Sequence, residues 1–408
     1  MEKKLKDYTI IEKIIQAHTN LSEKEIFPGN VIWVNLDMVT ARDYAGPQVI
    51  NLFEKNYPNS NVFDNKDILL TPDCYPYGND PIHAKDQQLL RDFSEKHDIE
   101  LTDLGQGIGS HILIRKGYVK SGNIVIGADS HYNLLGAVGV LGLGAGDIML
   151  AFAFKTGRFW LQIPETIRVN LSGSISWPTT AKDVTLFVLK ELHAYGITGK
   201  AIEFYGDIID SFTLEERITL CSLITEASGF IGFIPQENLI ADQEAIYKDK
   251  IEINISNIGQ YVSSPPYPHN VEPVQQVVDT HIDSVVIGSC TNGTAFDIGQ
   301  VAKILANKKI KTRLSIIPAT REDMIEITKN GTYETLLDAG ANFFGVGCST
   351  CAKGQFGLTG GKNHITMTTG NRNTKGKIGP APVYLASPVI AAYTALNGKI
   401  TLPDSKVK

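Results

Sequence analysis

A chain of 408 residues exceeds what one ordinary hydrophobic core organises, so two or three domains are expected. With 43% hydrophobic and 20% charged residues, it falls outside the disordered and membrane-embedded classes. The formal charge of −6, with no basic block at either end, weighs against nucleic acid as a partner and directs attention to small molecules.

The opening MEKKLKDYTIIEKIIQAH mixes charges with apolar residues at helical spacing, which predicts a helix from Leu5 to about His18 and leaves no apolar core for a signal peptide. No apolar run approaches the roughly 20 residues needed to span a bilayer, so the expectation is a cytoplasmic protein without a membrane segment. Residues 29–43, GNVIWVNLDMVTARD, read as a strand entering a loop. Residues 86–99 have the apolar spacing of an amphipathic helix, and a short apolar strand and the glycine-rich DLGQGIGSH follow. In YVKSGNIVIGADSH the apolar run Ile124 to Ile126 ends in glycine and then presents Asp129, Ser130 and His131 at a strand's carboxyl end, the edge at which ligands sit in open α/β sheets.

Residues 136–160 are rich in glycine and then helical. Gly139, Gly142, Gly144 and Gly146 fit the G-x-G-x-x-G spacing poorly and no strand immediately precedes them, which sets a dinucleotide fingerprint aside. A second α/β unit begins at PETIRVNLSG, and the proline cluster from Ser263 to Pro273 reads as a linker to a third unit. That third unit opens with HIDSVVIGSCTNG, a β-branched run ending in glycine and Cys290.

Five cysteines is a low, odd number that argues against a secreted disulfide framework. Cys74 and Cys221 stand alone, whereas Cys290, Cys348 and Cys351 lie in the last third beside glycine or small polar residues. Two strand ends bring such thiols within reach of one another. Three soft thiolates suit a [4Fe–4S] cluster with one iron left without a protein ligand. Spacing alone leaves three other readings open: a zinc site completed by histidine, a redox C-x-x-C, and structural thiols.

Several separated motifs occur together: GQGI (Gly105 to Ile108), GADSH (Gly127 to His131), SCTNG (Ser289 to Gly293), GCSTC (Gly347 to Cys351) and GNRNTKGK (Gly370 to Lys377). In this order they resemble the large catalytic subunit of the aconitase and isopropylmalate dehydratase family, and the match extends over nearly the whole chain. The resemblance implies three α/β domains around a central cluster site, here 1–163, 164–265 and 266–408. It implies a hydro-lyase acting on a small 2- or 3-hydroxy carboxylic acid, with Cys290, Cys348 and Cys351 as ligands of a [4Fe–4S] cluster. It also implies a heteromer, in which a separate small subunit supplies a serine base and a carboxylate-binding arginine. Carried over by position, Asp73, His111, Asp129, His131 and Glu226 fall in the acid–base set. Ser130, Asn371, Arg372 and Lys377 fall on the substrate side, with the Arg372 guanidinium as the natural carboxylate clamp.

The sequence departs from the family pattern where proton transfer is expected. Asp73 is followed by Cys74 rather than histidine, and Ser110 takes a histidine's place with His111 one position along. Ser222 stands for an asparagine, Lys377 for an arginine and Gly370 for a serine, and ARDYAG (Ala41 to Gly46) differs from the usual substrate-touching loop. Fewer histidines near neutral pH means an altered acid apparatus. A changed substrate is therefore expected, either another hydroxy acid or a sulfur-bearing analogue. The alternative is a cluster-binding paralogue that is not a hydratase, either a lyase for a sulfur-containing substrate or an RNA-binding regulator, and the acidic charge and absent basic patch weigh against the last.

Overall fold

The computed structural model describes residues 7–78, 80–350, 361, 363–376 and 379–404, and Cys351 through its backbone. Of the predicted first helix, Leu5 and Lys6 lie outside the described residues, and the helix itself is Ile10–Ala17. Thr9 sets its start, since Thr9 Oγ1 accepts from the Glu12 N–H while the Glu12 carboxylate accepts from the Thr9 N–H at 3.0 Å.

The stretch expected to be one strand is two. Val31–Asn35 pairs antiparallel with Arg158–Gln162, and the chain then turns at Asp37 into Met38–Arg42, a strand buried throughout. Asp37 holds that turn, because one carboxylate oxygen sits 2.8 Å from the His18 ring and accepts the Ile124 N–H at 2.6 Å.

Among the described residues, the remaining strands form three sheets. The first is parallel, in the order Glu100–Leu101, Ile68–Thr71, Met38–Arg42, Ile124–Gly127, Leu141–Gly144. The second, also parallel, runs Ile231–Phe233, Ala201–Tyr205, Thr166–Ser172, Asp249–Asn254. The third has Ser284–Gly288 at its centre, with Arg313–Ile317 and Asn342–Phe343 on one side and Thr366–Thr368 and Val383–Ala386 on the other. The proline cluster is not a linker. It is the bend between Tyr261–Ser263 and Val271–Pro273, an antiparallel pair that continues the third sheet beyond Val383–Ala386. Prolines are compatible with a sheet edge, where a missing N–H costs no ladder bond.

In the first sheet the chain builds outward in one direction from Met38–Arg42 and then returns to its other side with Ile124–Gly127. In the third it does the same around Ser284–Gly288, returning with Thr366–Thr368. Each reversal opens a crevice at the strands' carboxyl ends. Arg42 and Asp129 flank the first crevice, and Cys290 and Asn371 flank the second.

The apolar cores knit these sheets together. Met38, Leu69 and Val125 of the first sheet share one buried cluster with Ile167 and Phe204 of the second, and with Cys290 and Cys348. Among the described residues no helix is long and apolar enough to cross a membrane.

Gly136 marks how closely the first two units approach. A Cβ there would lie 1.9 Å from the Gly232 carbonyl oxygen, on backbone that a flexible side chain's movement cannot relieve. Gly136→Ala is expected to lose about 1–3 kcal/mol of stability, the usual cost of overpacking, seen as a lower urea midpoint. A midpoint equal to wild type would show that this approach is not tight.

Candidate active site

The first crevice is floored by a buried guanidinium. Arg42, 3% exposed, ends its strand and donates from Nε to Asp73 Oδ1 at 2.6 Å and from Nη1 to Asp129 Oδ2 at 2.5 Å, while Nη2 donates to the Cys348 sulfur. Asp73 follows the neighbouring strand Ile68–Thr71, and its other oxygen accepts the Gly109 N–H at 2.7 Å. Its backbone oxygen accepts the Cys348 N–H at 3.1 Å, so the loop carrying Cys348 is tied to the first sheet by backbone as well as by side chain.

The two carboxylates respond differently to one cation. Burial pushes the Asp73 carboxyl up to about 6 although Arg42 opposes it. Burial acts on Asp129 in the same sense, but Arg42 and His131 together hold it well below the usual carboxylate range. Asp129 Oδ1 also accepts the His131 N–H at 2.9 Å.

A second network runs outward from His131. Its Nε2 is 2.8 Å from Glu226 Oε1, and Arg372 Nε donates to the same oxygen at 2.9 Å. Arg372 Nη2 reaches Ser130 Oγ at 2.5 Å. Burial alone would lower the His131 ring's pKa, but Asp129 and Glu226 raise it above the ordinary histidine value. Burial would raise Glu226, yet His131 and Arg372 bring it below the ordinary glutamate value. The pairing favours a charged ring against an ionised carboxylate.

The second crevice holds Cys290 and Asn371, both nearly inaccessible, with Asn371 Nδ2 donating to Cys290 Sγ at 3.2 Å. His111 lies beneath, its Nε2 2.8 Å from the Cys290 carbonyl oxygen. Burial lowers the His111 ring below the ordinary histidine value. Its neighbour Ser110 is buried, and among the described residues its hydroxyl finds no hydrogen-bond partner. Ser222 bonds the Thr219 carbonyl at 3.1 Å and Thr291 Oγ1 at 3.0 Å.

The structure therefore brings Asp73, Asp129, His131, Ser130, Glu226 and Arg372 into linked networks with Cys348, and joins Asn371 and His111 to Cys290. The Cys351 side chain and Lys377 lie outside the described residues. Cys74, which stands alone in the sequence, comes close to Cys348: its sulfur, a carboxylate oxygen of Asp73 and the Cys348 sulfur lie within 4.8 Å of one another. Arg42 touches two of those three groups, and its positive charge counts against a lone cation there.

Two cations were not singled out by motif. Arg42 carries the same signal as Asp129, a charged residue at the end of an apolar run. Lys182 carries a weaker one: it opens the helix Ala181–Tyr195 within TTAKDV, where the helix dipole disfavours positive charge. Its ammonium, 1% exposed, donates to the Thr369 carbonyl at 3.1 Å and the Gly370 carbonyl at 2.9 Å, just before Asn371 and Arg372.

The family described as Aconitase family (aconitate hydratase) matches residues 12–241 and 270–398. The chain is 35% identical to the 3-isopropylmalate dehydratase large subunit of Syntrophus aciditrophicus, over 97% of this chain and 99% of that one. It is 34% identical to the protein of the same description from Thermodesulfovibrio yellowstonii, over 97% and 98%. Among solved structures, holo-form Thermococcus kodakaraensis aconitase X aligns with a TM-score of 0.56 at 14% identity, covering 88% of this chain and 92% of that chain. The last likeness speaks to the fold alone, and it agrees with the α/β architecture.

Lys182 gives this region a pH signature. Burial pushes its amine from the ordinary 10.5 down to about 7, so between those values the unfolded chain binds more protons than the folded one. Stability contributed by this group therefore rises with pH across that window. Denaturant titrations of wild type and Lys182→Met at pH 7 and pH 9 are expected to show wild type gaining on the variant at the higher pH. A difference independent of pH would contradict this.

Proposed function

This chain belongs to the aconitase family, and we propose that it is the large subunit of a [4Fe–4S]-dependent hydro-lyase of the 3-isopropylmalate dehydratase type. Its substrate in this reading is a small 2- or 3-hydroxy carboxylic acid that differs from isopropylmalate. The observation that carries the reading is that two buried cysteines connect to one acid–base network, Cys348 through Arg42 and Asp129, and Cys290 through Asn371, the residue before Arg372. Cys290 and Cys348 each receive an N–H donor at sulfur, from Asn371 and Arg42, beside the linked His131, Glu226 and Arg372.

That donor set fits an iron–sulfur cluster, because thiolates are its ligands and N–H groups directed at sulfur are its usual outer partners. Cys290, Cys348 and Cys351 would hold it. When bound, such a cluster supplies a Lewis-acidic iron without a protein ligand, suited to a substrate hydroxyl and carboxylate.

The chain's own groups supply orientation and proton handling. Arg372 presents a planar fork, held by Glu226 and Ser130, for a substrate carboxylate. Ser130 and Asn371 line the same side, and Lys377 follows in the sequence as a further cation. His131, biased toward its charged form, holds a proton on Nε2 against Glu226 Oε1 and is the chain's donor toward departing hydroxide. Asp129 anchors the residue by accepting its backbone N–H, and its carboxylate lies 3.6 Å from the ring's Nδ1. Asp73 holds Arg42, and His111 supports the Cys290 loop through its carbonyl. The family resemblance assigns the carbon-bound proton to a serine on a small subunit, which is the partner proposed here.

Anaerobic reconstitution with iron and sulfide quantified, followed by a screen of hydroxy acids with the small subunit present, tests the proposal. Wild type is expected to bind a cluster that Cys348→Ser fails to retain, and to turn over a hydroxy acid other than isopropylmalate. Rapid isopropylmalate turnover would refute the changed substrate, and a wild-type chain without iron would refute the hydro-lyase reading. Arg372→Lys is expected to raise KM for the identified acid by about 10- to 100-fold, the worth of a charged hydrogen bond.

A further inference from the structure

We propose that Arg42 is a positioning residue of the cluster site, whose guanidinium donates an N–H to the Cys348 sulfur and holds the bound cluster at a raised reduction potential. This rests on the reading of Cys348 as a cluster ligand.

The geometry leaves the guanidinium little freedom. Nε, Nη1 and Nη2 each address a different acceptor, Asp73, Asp129 and Cys348, on three separate segments of chain. Those acceptors are themselves anchored. Asp73 also receives the Gly109 N–H, Asp129 also receives the His131 N–H, and the Cys348 N–H is held by the Asp73 carbonyl. A planar, permanently charged fork bonded through all three of its nitrogens cannot swing toward substrate without leaving two buried carboxylates unpaired. Its role is fixed toward the sulfur. That leaves Arg372, on the other network, to meet the substrate carboxylate.

The direction of the effect follows from charge. Reducing a cluster places additional electron density on its sulfurs, and a donor N–H stabilises that density more in the reduced state than in the oxidised state. The potential rises. Asp73 and Asp129 act in the opposite sense, and with Arg42 their formal charges sum to −1. The group is thus not a simple positive patch. Its contribution is a directed N–H embedded in a net negative triad, and the two effects are separable by substitution.

The double variant Arg42→Met/Asp129→Asn keeps the triad at −1 while removing the donor. In reconstituted protein, potentiometric titration followed by EPR is expected to show its cluster tenfold harder to reduce in equilibrium constant, about 59 mV for one electron. Arg42→Lys, which keeps a charged donor, is expected to fall between the two. Wild-type protein labelled with 15N-arginine supplies a measurement that needs no altered core. Its reduced cluster is expected to show an arginine nitrogen coupling by pulsed EPR that Arg42→Lys abolishes.

An unchanged potential in the folded, loaded double variant would overturn the proposal. So would a loaded wild-type cluster without the nitrogen coupling, and that coupling decides alone if the double variant fails to retain iron. A wild-type chain that takes up no cluster overturns the hydro-lyase reading as well, and iron analysis tells this apart from a loaded cluster lacking the coupling.

Discussion

The structure depends on one shared cation. Arg42 lies where the first sheet reverses direction, and it bonds the carboxylates that follow the two neighbouring strands together with a cysteine delivered by the third sheet. A buried guanidinium is tolerable only when its donors are met, and the same holds for each buried carboxylate. The three segments therefore constrain each other. Moving any one leaves charge unpaired in the core. The backbone repeats the tie: the Ile108 N–H reaches the Ala319 carbonyl at 2.9 Å and Gly107 bridges Thr320, so the first and third sheets meet through main chain as well.

The outward network is built on different terms. His131, Glu226, Arg372 and Ser130 come from three places in the chain; His131 is fully buried, but the Glu226 and Arg372 side chains, 10% and 17% exposed, lie nearer to the surface than the Arg42 triad. Buried links specify position, whereas the partly exposed Arg372 can exchange one carboxylate for another at smaller cost. A rigid floor and an exchangeable rim suit the proposed binding and release of an acid.

Much of this arrangement is legible in the sequence, because apolar runs that stop at glycine and then present Asp, Ser, His or Cys mark strand ends in parallel sheets. Asp129, His131 and Cys290 follow that rule. The proline-rich hairpin does not, since proline is a turn signal in sequence and an edge-strand residue in space, and only pairing with Val383–Ala386 distinguishes the two. The first strand region misleads for another reason. One apolar run crosses two sheets, and the break at Asp37 depends on His18 and Ile124, both distant in sequence. Lys182 is hidden for a similar reason: a lysine opening an amphipathic helix reads as solvated, and only the carbonyls of Thr369 and Gly370 place it in the interior.

The departures from the family pattern acquire a common sense once His111 is placed. Its ring faces the Cys290 carbonyl, and Cys74 stands beside Cys348 where the pattern has a second histidine. Neither position therefore sets an imidazole beside Asp73. What remains there is acceptor oxygens bound to Arg42. Proton delivery then concentrates on the His131–Glu226 pair, which lies on the Arg372 side. In the proposed hydro-lyase reading, the substrate would bring its leaving group toward that pair rather than toward the Asp73 loop. That placement of the ionisable rings is what supports, within the proposed reading, a hydroxy acid other than isopropylmalate.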